Sequence, residues 1–225
     1  MQLPIDPAER QLAAIIRAVH DDRIDRFLPA AAGSRDDAFR LYLWNCALCE
    51  SFYLPMHFAE IAVRNAIHAH LIRRMGETWF ENLALVNSLD DRRRRDLDDL
   101  LVTERVRHGA NLTCNHLVSE LSFGFWQHLL TKRFGRIIWG PGVRCAFPNL
   151  PNGLDRQDVY DRVEIVRKWR NRIAHHKPIF DRGPSAKYQD ILQLIRWVCD
   201  DVADWVTSAS KVSGAIALRP IANTR

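Results

Sequence analysis

The sequence predicts an all-α fold, an antiparallel helical bundle with additional helices, and three observations lead there. Apolar residues recur at helical spacing in nearly every long segment, no alternating stretch of strand length appears, and capping residues and breakers bound the helical runs. With 225 residues and 47% hydrophobic composition, the chain can bury a sizeable core and is too apolar for a disordered polymer.

The first helix is predicted over about residues 7–27, beginning at Pro7, carrying Leu12, Ile15, Ile16 and Val19 at helical spacing, and stopped by Pro29. Ser34 followed by Asp37 opens a second helix through about Phe52. Pro55 starts the third, PMHFAEIAVRNAIHAHLIRRMG, with Gly76 as its C-terminal cap. Ser88 with Asp91 repeats the cap signal before a charged helix to about His108, and a further helix over about 114–132 contains LSFGFWQHLL. The segment 140–153, with three prolines and three glycines, is a loop. Asp155 caps a long helix ending at HHKP, because Pro178 pushes Lys177 out of the α region. A last helix over about 186–209 has Ile191, Leu194, Ile195, Val198, Val202 and Trp205 on one face. The organisation expected is one domain over residues 1–210 and a flexible C-terminal tail, 211–225.

Lysine and arginine total 32 against 27 acidic residues, and the net charge of +5 suits an anionic partner. No apolar run of about 18 residues is present, and MQLPIDPAER has neither the basic start nor the apolar stretch of a signal peptide. A cytoplasmic protein without membrane contact is expected. Five cysteines without a repeating framework argue for reduced thiols. Cys46 and Cys49 form a CxxC, but its setting, LYLWNCALCESFYL, is an apolar helix with no second ligand pair nearby, which favours core packing over a redox or zinc site. No metal or cofactor is expected.

On the helix ending at HHKP, Val159, Val163, Val166, Trp169 and Ile173 define an apolar stripe, and Arg170 lies at its edge. Asn171 and His175, four residues apart, share a polar face with Arg167. A partly buried guanidinium is costly without a carboxylate or an anionic ligand, so Arg170 is expected to have a partner. His175 and His176 occupy the last turn. Metal-free phosphodiester cleavage needs a proton-transfer group and a fixed cation, and RNA supplies an internal nucleophile in its 2′-hydroxyl. The same residues also suit a helix end stabilised by capping hydrogen bonds and a salt bridge; composition does not choose between the two.

The stretch WRNRIAHHKPIF resembles the R-N-x-x-A-H-H signature of Abi-like proteins, a branch of the HEPN superfamily. Two further stretches are similar to the same family: HFAEIAVRNAIHAHL, with an E-x-x-x-R-N core followed by G-x-x-W, and ELSFGFWQHLL, which resembles L-S/T-F-G-x-W. The three blocks cover the chain from about residue 38 to 205. The resemblance implies a helical bundle that commonly forms homodimers and cleaves RNA without a metal through an R-x(4–6)-H motif, in abortive-infection phage defence or as a toxin. Its arginine is then Arg170, its polar residue Asn171, and its histidine His175 or His176, with His175 favoured for sharing the face of Asn171. Arg167, Arg172 and Lys177 are candidate RNA-phosphate contacts. RNA, a second copy, and an antitoxin or phage-derived trigger are the implied partners. The alternative is a non-catalytic RNA- or protein-binding module of the same fold.

Met56, Glu60, Val63, Ile67 and Leu71 form the inward stripe of their helix, with Arg64 at its edge. Glu60 either pairs with Arg64 four residues on or orients Arg170 or a catalytic histidine. Arg64 and Asn65 with His68 and His70 imitate the C-terminal motif, but mid-helix. The arginine run 92–95 reads as a solvated face, and Phe123, Phe125 and Trp126 read as core. No phosphate-cradling glycine motif, HExxH or nucleophile elbow is present.

Overall fold

The computed structural model describes residues 7–220, and no strand occurs among them. The chain is all-α. In order run α1 (Glu9–Val19), α2 (Asp21–Asp25), α3 (Arg35–Ser51), α4 (Tyr53–Met75), α5 (Leu83–Val86), α6 (Asp91–His108), α7 (Cys114–Val118), α8 (Phe123–His128), α9 (Arg156–Ala174), α10 (Pro184–Val198), α11 (Asp200–Ala209) and α12 (Val212–Ala217). No helix among the described residues is long and apolar enough to cross a membrane.

The caps show why the longer helices start and stop where they do. The Ser34 hydroxyl accepts from Asp37 N at 3.2 Å, and Asp155 Oδ1 accepts from Gln157 N at 2.6 Å. Gly76, at φ 82°, closes α4 with its N–H on the Ile72 carbonyl. The α6 cap is Asp90 rather than Ser88: Asp90 Oδ1 accepts from Arg93 N at 2.9 Å, while Ser88 N closes the turn after α5 on the Leu85 carbonyl.

Three expected helices are broken. The first splits at His20 (φ 67°), where Asp21 and Asp22 open α2 in the favourable first-turn position for acids. The segment 114–132 splits because Ser122 caps a new helix by accepting from Phe125 N. The last helix breaks at Cys199, again before an acidic pair, Asp200 and Asp201.

By its internal packing the chain divides into two compact units, where the sequence alone suggests one domain. Of the described residues, the first comprises 7–54, 172–188 and 209–220. Phe27 stacks on Phe180 with centroids 4.9 Å apart, and the buried Asn45 Oδ1 accepts from the N–H groups of Ile179 and Phe180. The expectation of a flexible tail from residue 211 is corrected by α12: Val212 and Ala215 are fully buried, and Trp44 Nε1 donates to the Ala215 carbonyl at 2.7 Å. Residues 221–225 of that tail lie outside the described residues.

The second unit comprises residues 55–171 and 189–208. Its core takes Val63, Ile67 and Leu71 from α4, Trp126 from α8, Val159, Val163 and Val166 from α9, and Ile191 and Ile195 from α10. Phe123, Phe125 and Trp126 are all core residues. Arg162 pairs with Asp190 and lies over the Trp197 ring at 5.4 Å, joining α9 to α10.

Candidate functional site

The helix α9 carries the motif, and the division between units falls within it, after Asn171. On the side of the second unit, Arg170 has two acceptors. Its Nη2 lies 3.3 Å from Glu60 Oε2 and 3.4 Å from Oε1, and its Nη1 donates to Asn171 Oδ1 at 3.2 Å. Glu60 comes from α4, 110 residues earlier in the chain. Of the two roles the sequence leaves open for Glu60, this geometry matches bracing Arg170. Arg64 instead keeps its Nε buried without a hydrogen-bond partner, and Asn65 is exposed.

Around Arg170 the candidate phosphate contacts differ. Arg167 is held by Glu164, donating from Nε at 3.1 Å and Nη2 at 2.8 Å, and Lys168 and Gln127 reach the same carboxylate. Burial pushes that carboxyl up, but the hydrogen bonds from Gln127, Lys168 and Arg167 outweigh it and hold it at about 2. One carboxylate thus faces two cations, Arg167 and Lys168, so Arg167 is held in place with its charge partly offset. Arg172 Nε donates to the Pro178 carbonyl at 2.6 Å, which turns it into a clamp on the following loop. Lys177 is exposed.

In the first unit, α9 ends in a double hydrogen-bonded turn: His176 N donates to the Ile173 carbonyl and Lys177 N to the Arg172 carbonyl, each at 2.9 Å. This is the Schellman arrangement, which requires a left-handed residue, and His176 fills that place at φ 53°. His176 consequently leaves the helical phase, and its carbonyl accepts from Arg23 Nη1 at 3.1 Å. His175 stands at the helix end with its ring exposed.

His68 and His70, which imitate the motif on α4, are buried. His70 Nε2 bonds the Ile138 carbonyl at 2.9 Å and its ring stacks on Trp139; burial lowers the pKa of both imidazoles. They are core residues. The CxxC is not core packing: Cys46 is exposed, Cys49 is half-buried, and both line a cavity of about 440 Å³ in the first unit. Residues 42, 45, 46 and 49 carry polar or sulfur atoms at helical spacing in the otherwise apolar run 41–49, and that stripe is the signal the sequence offered for the cavity. No group of three or more metal-ligating side chains occurs among the described residues.

No protein-family model, no curated protein and no solved structure matches this chain. The class that fold and site define is an all-α protein carrying an arginine braced by a carboxylate and an amide near the end of a long helix.

Proposed function

We propose that this chain is a metal-independent RNA endonuclease of the HEPN type, acting in abortive-infection phage defence or as a toxin. The observation that carries the proposal is the braced Arg170: its two terminal nitrogens are oriented by Glu60 and Asn171, and a guanidinium has five N–H donors, so others remain for phosphate oxygens. In the proposed reaction His175 takes the proton of the 2′-hydroxyl, whose oxygen attacks phosphorus. The O2′–P bond forms and the P–O5′ bond breaks. The leaving 5′-oxygen takes up a proton from water and the protonated His175 releases its own to solvent, giving a 2′,3′-cyclic phosphate and a 5′-hydroxyl. Arg170 stabilises the charge developing on the phosphoryl oxygens. Glu60 and Asn171 are positioning residues. A homodimer and an antitoxin or phage-derived trigger belong to the same proposal, the first checked by sedimentation at micromolar concentration.

The test is incubation of purified protein with RNA in EDTA. Wild type is expected to cut, and Arg170→Ala to bind RNA without cutting. A second reading, a non-catalytic RNA- or protein-binding module, is favoured by His175, whose ring has no hydrogen bond among the described residues to fix its tautomer. Binding without cleavage by the wild-type chain would select it.

A further inference from the structure

The cavity of about 440 Å³ lies wholly within the first unit, between the end of α1, α2, the middle of α3 and the turn after α9. Its volume falls in the range of small-ligand sites. Its lining is chemically lopsided: among the described residues it includes Arg23 and His176 but no carboxylate. The acids of α2 do not neutralise Arg23. Asp21 and Asp25 both reach Arg35, and Asp22 faces His20. Arg23 is nevertheless fixed, because its Nη1 is tied to the His176 carbonyl. A cation that is held but has no anion beside it is a prepared anion contact.

The remaining walls are suited to a flat, half-apolar group. Val19 and Ile173 provide aliphatic surface, and Tyr42 presents a half-buried ring that meets Phe27 edge-on at 5.7 Å. The Cys49 thiol is a weak donor rather than a reactive thiolate, because burial, with Cys46 beside it, pushes it up to about 12, whereas Cys46 is exposed. Of the three non-glycine residues at positive φ among the described residues, His176 lines this cavity and His20 follows its lining residue Val19 in sequence. Such strain is found where surrounding structure over-determines a site.

We infer that this cavity takes one nucleoside phosphate unit of a single-stranded RNA, with the base between Tyr42 and the aliphatic wall and the phosphate on Arg23. The inference rests on the ribonuclease proposal for its polymer. It makes the substrate single-stranded, since a paired base cannot enter a pocket of this kind.

Cys46 supplies the probe. The full-length chain in EDTA is alkylated with N-ethylmaleimide, and modification of Cys46 is followed by peptide mass spectrometry in the presence of adenosine 3′-monophosphate, inorganic phosphate, or a short oligoadenylate. The mononucleotide is expected to slow Cys46 alkylation severalfold, the oligonucleotide to do so at lower concentration, and phosphate alone to have little effect. Arg23→Gln should raise the protecting concentration about tenfold, the loss of one good polar contact. Ala18→Phe, at an exposed position on the rim, should abolish the dependence on nucleotide even if Arg23→Gln fails to fold. Absence of protection by the mononucleotide, or equal protection by phosphate, overturns the site. Protection by the mononucleotide but not by the oligonucleotide overturns the assignment to RNA. Cleavage plays no part in the readout, so this result and that of the EDTA cleavage assay fail independently.

Discussion

Both carboxylate oxygens of Glu60 lie within 3.4 Å of one nitrogen, Nη2, of Arg170. This is a one-nitrogen contact rather than a two-pronged fork, and the side chains are 26% and 41% exposed, so solvent screens the pair. Its contribution to stability is therefore small, about 0.5–1 kcal/mol, whereas orphaning a buried charge would cost about 3–5 kcal/mol. Glu60→Ala is expected to leave the melting temperature within a few degrees of wild type while reducing kcat for RNA cleavage about tenfold or more, with KM unchanged or lower because a competing carboxylate is gone. Glu60→Gln should restore part of kcat by returning an acceptor. A large fall in melting temperature with kcat per folded molecule unchanged would make Glu60 a structural brace and nothing more.

His176 occupies a left-handed backbone position that glycine fills without strain. Its N–H and carbonyl make the contacts that fasten this turn, and both survive any side-chain change. His176→Gly is expected to raise stability by about 1 kcal/mol in urea unfolding. Under the proposed mechanism His176→Gly also keeps RNA cleavage, while His175→Ala loses about a hundredfold to ten-thousandfold. Loss of cleavage in the His176 variant with His175→Ala unaffected would transfer the proton-transfer role to His176.

Local signals made the long helices legible, because Ser34, Gly76 and Asp155 act on backbone groups within a few residues of themselves. The breaks at His20 and Cys199 were readable in principle from the acidic pairs that follow them, but apolar spacing runs across both breaks and hides them. Glu60 could be placed on its helix face from the sequence, yet its choice of Arg170 over Arg64 depends on how α4 and α9 pack, and periodicity carries no information about a residue 110 positions away. The cavity was missed for a related reason: Cys46 and Cys49 lie in an apolar run, and their exposure depends on which face of α3 meets the core.

The two basic residues flanking the motif should contribute unequally to RNA affinity. Arg167 donates twice to Glu164, whereas Lys177 is exposed. Each phosphate neutralised on a single strand contributes about 0.7 to the slope of log affinity against log salt. Lys177→Ala is expected to lower that slope by about this amount, and Arg167→Ala by less than half of it. Equal reductions would mean that Arg167 leaves Glu164 when RNA binds.

The last expectation concerns acid. The Glu164 carboxyl sits at about 2 because Gln127, Lys168 and Arg167 donate to its ionised form more strongly than burial opposes it. In the unfolded chain the same group titrates near its ordinary value of 4.5. A carboxylate whose folded value is depressed adds stability that is fully present above the unfolded value and is lost as pH falls toward the folded one. The window is therefore from about pH 5 down to about pH 2. Glu164→Gln keeps a side chain of the same shape but cannot ionise, so at pH 7 it should be less stable than wild type by about 1–2 kcal/mol, with the long, partly solvated Arg167 and Lys168 limiting the effect. The difference between the two proteins should shrink steadily on acidification and nearly vanish by about pH 2, if both remain folded enough for urea titration. A gap that stays constant across that range would show that Glu164 stabilises the fold by packing rather than by charge. The same substitution frees Arg167, so at neutral pH it should strengthen RNA binding and steepen its salt dependence by up to about 0.7. Weaker binding in Glu164→Gln would show that the Glu164 network holds Arg167 in a position RNA requires.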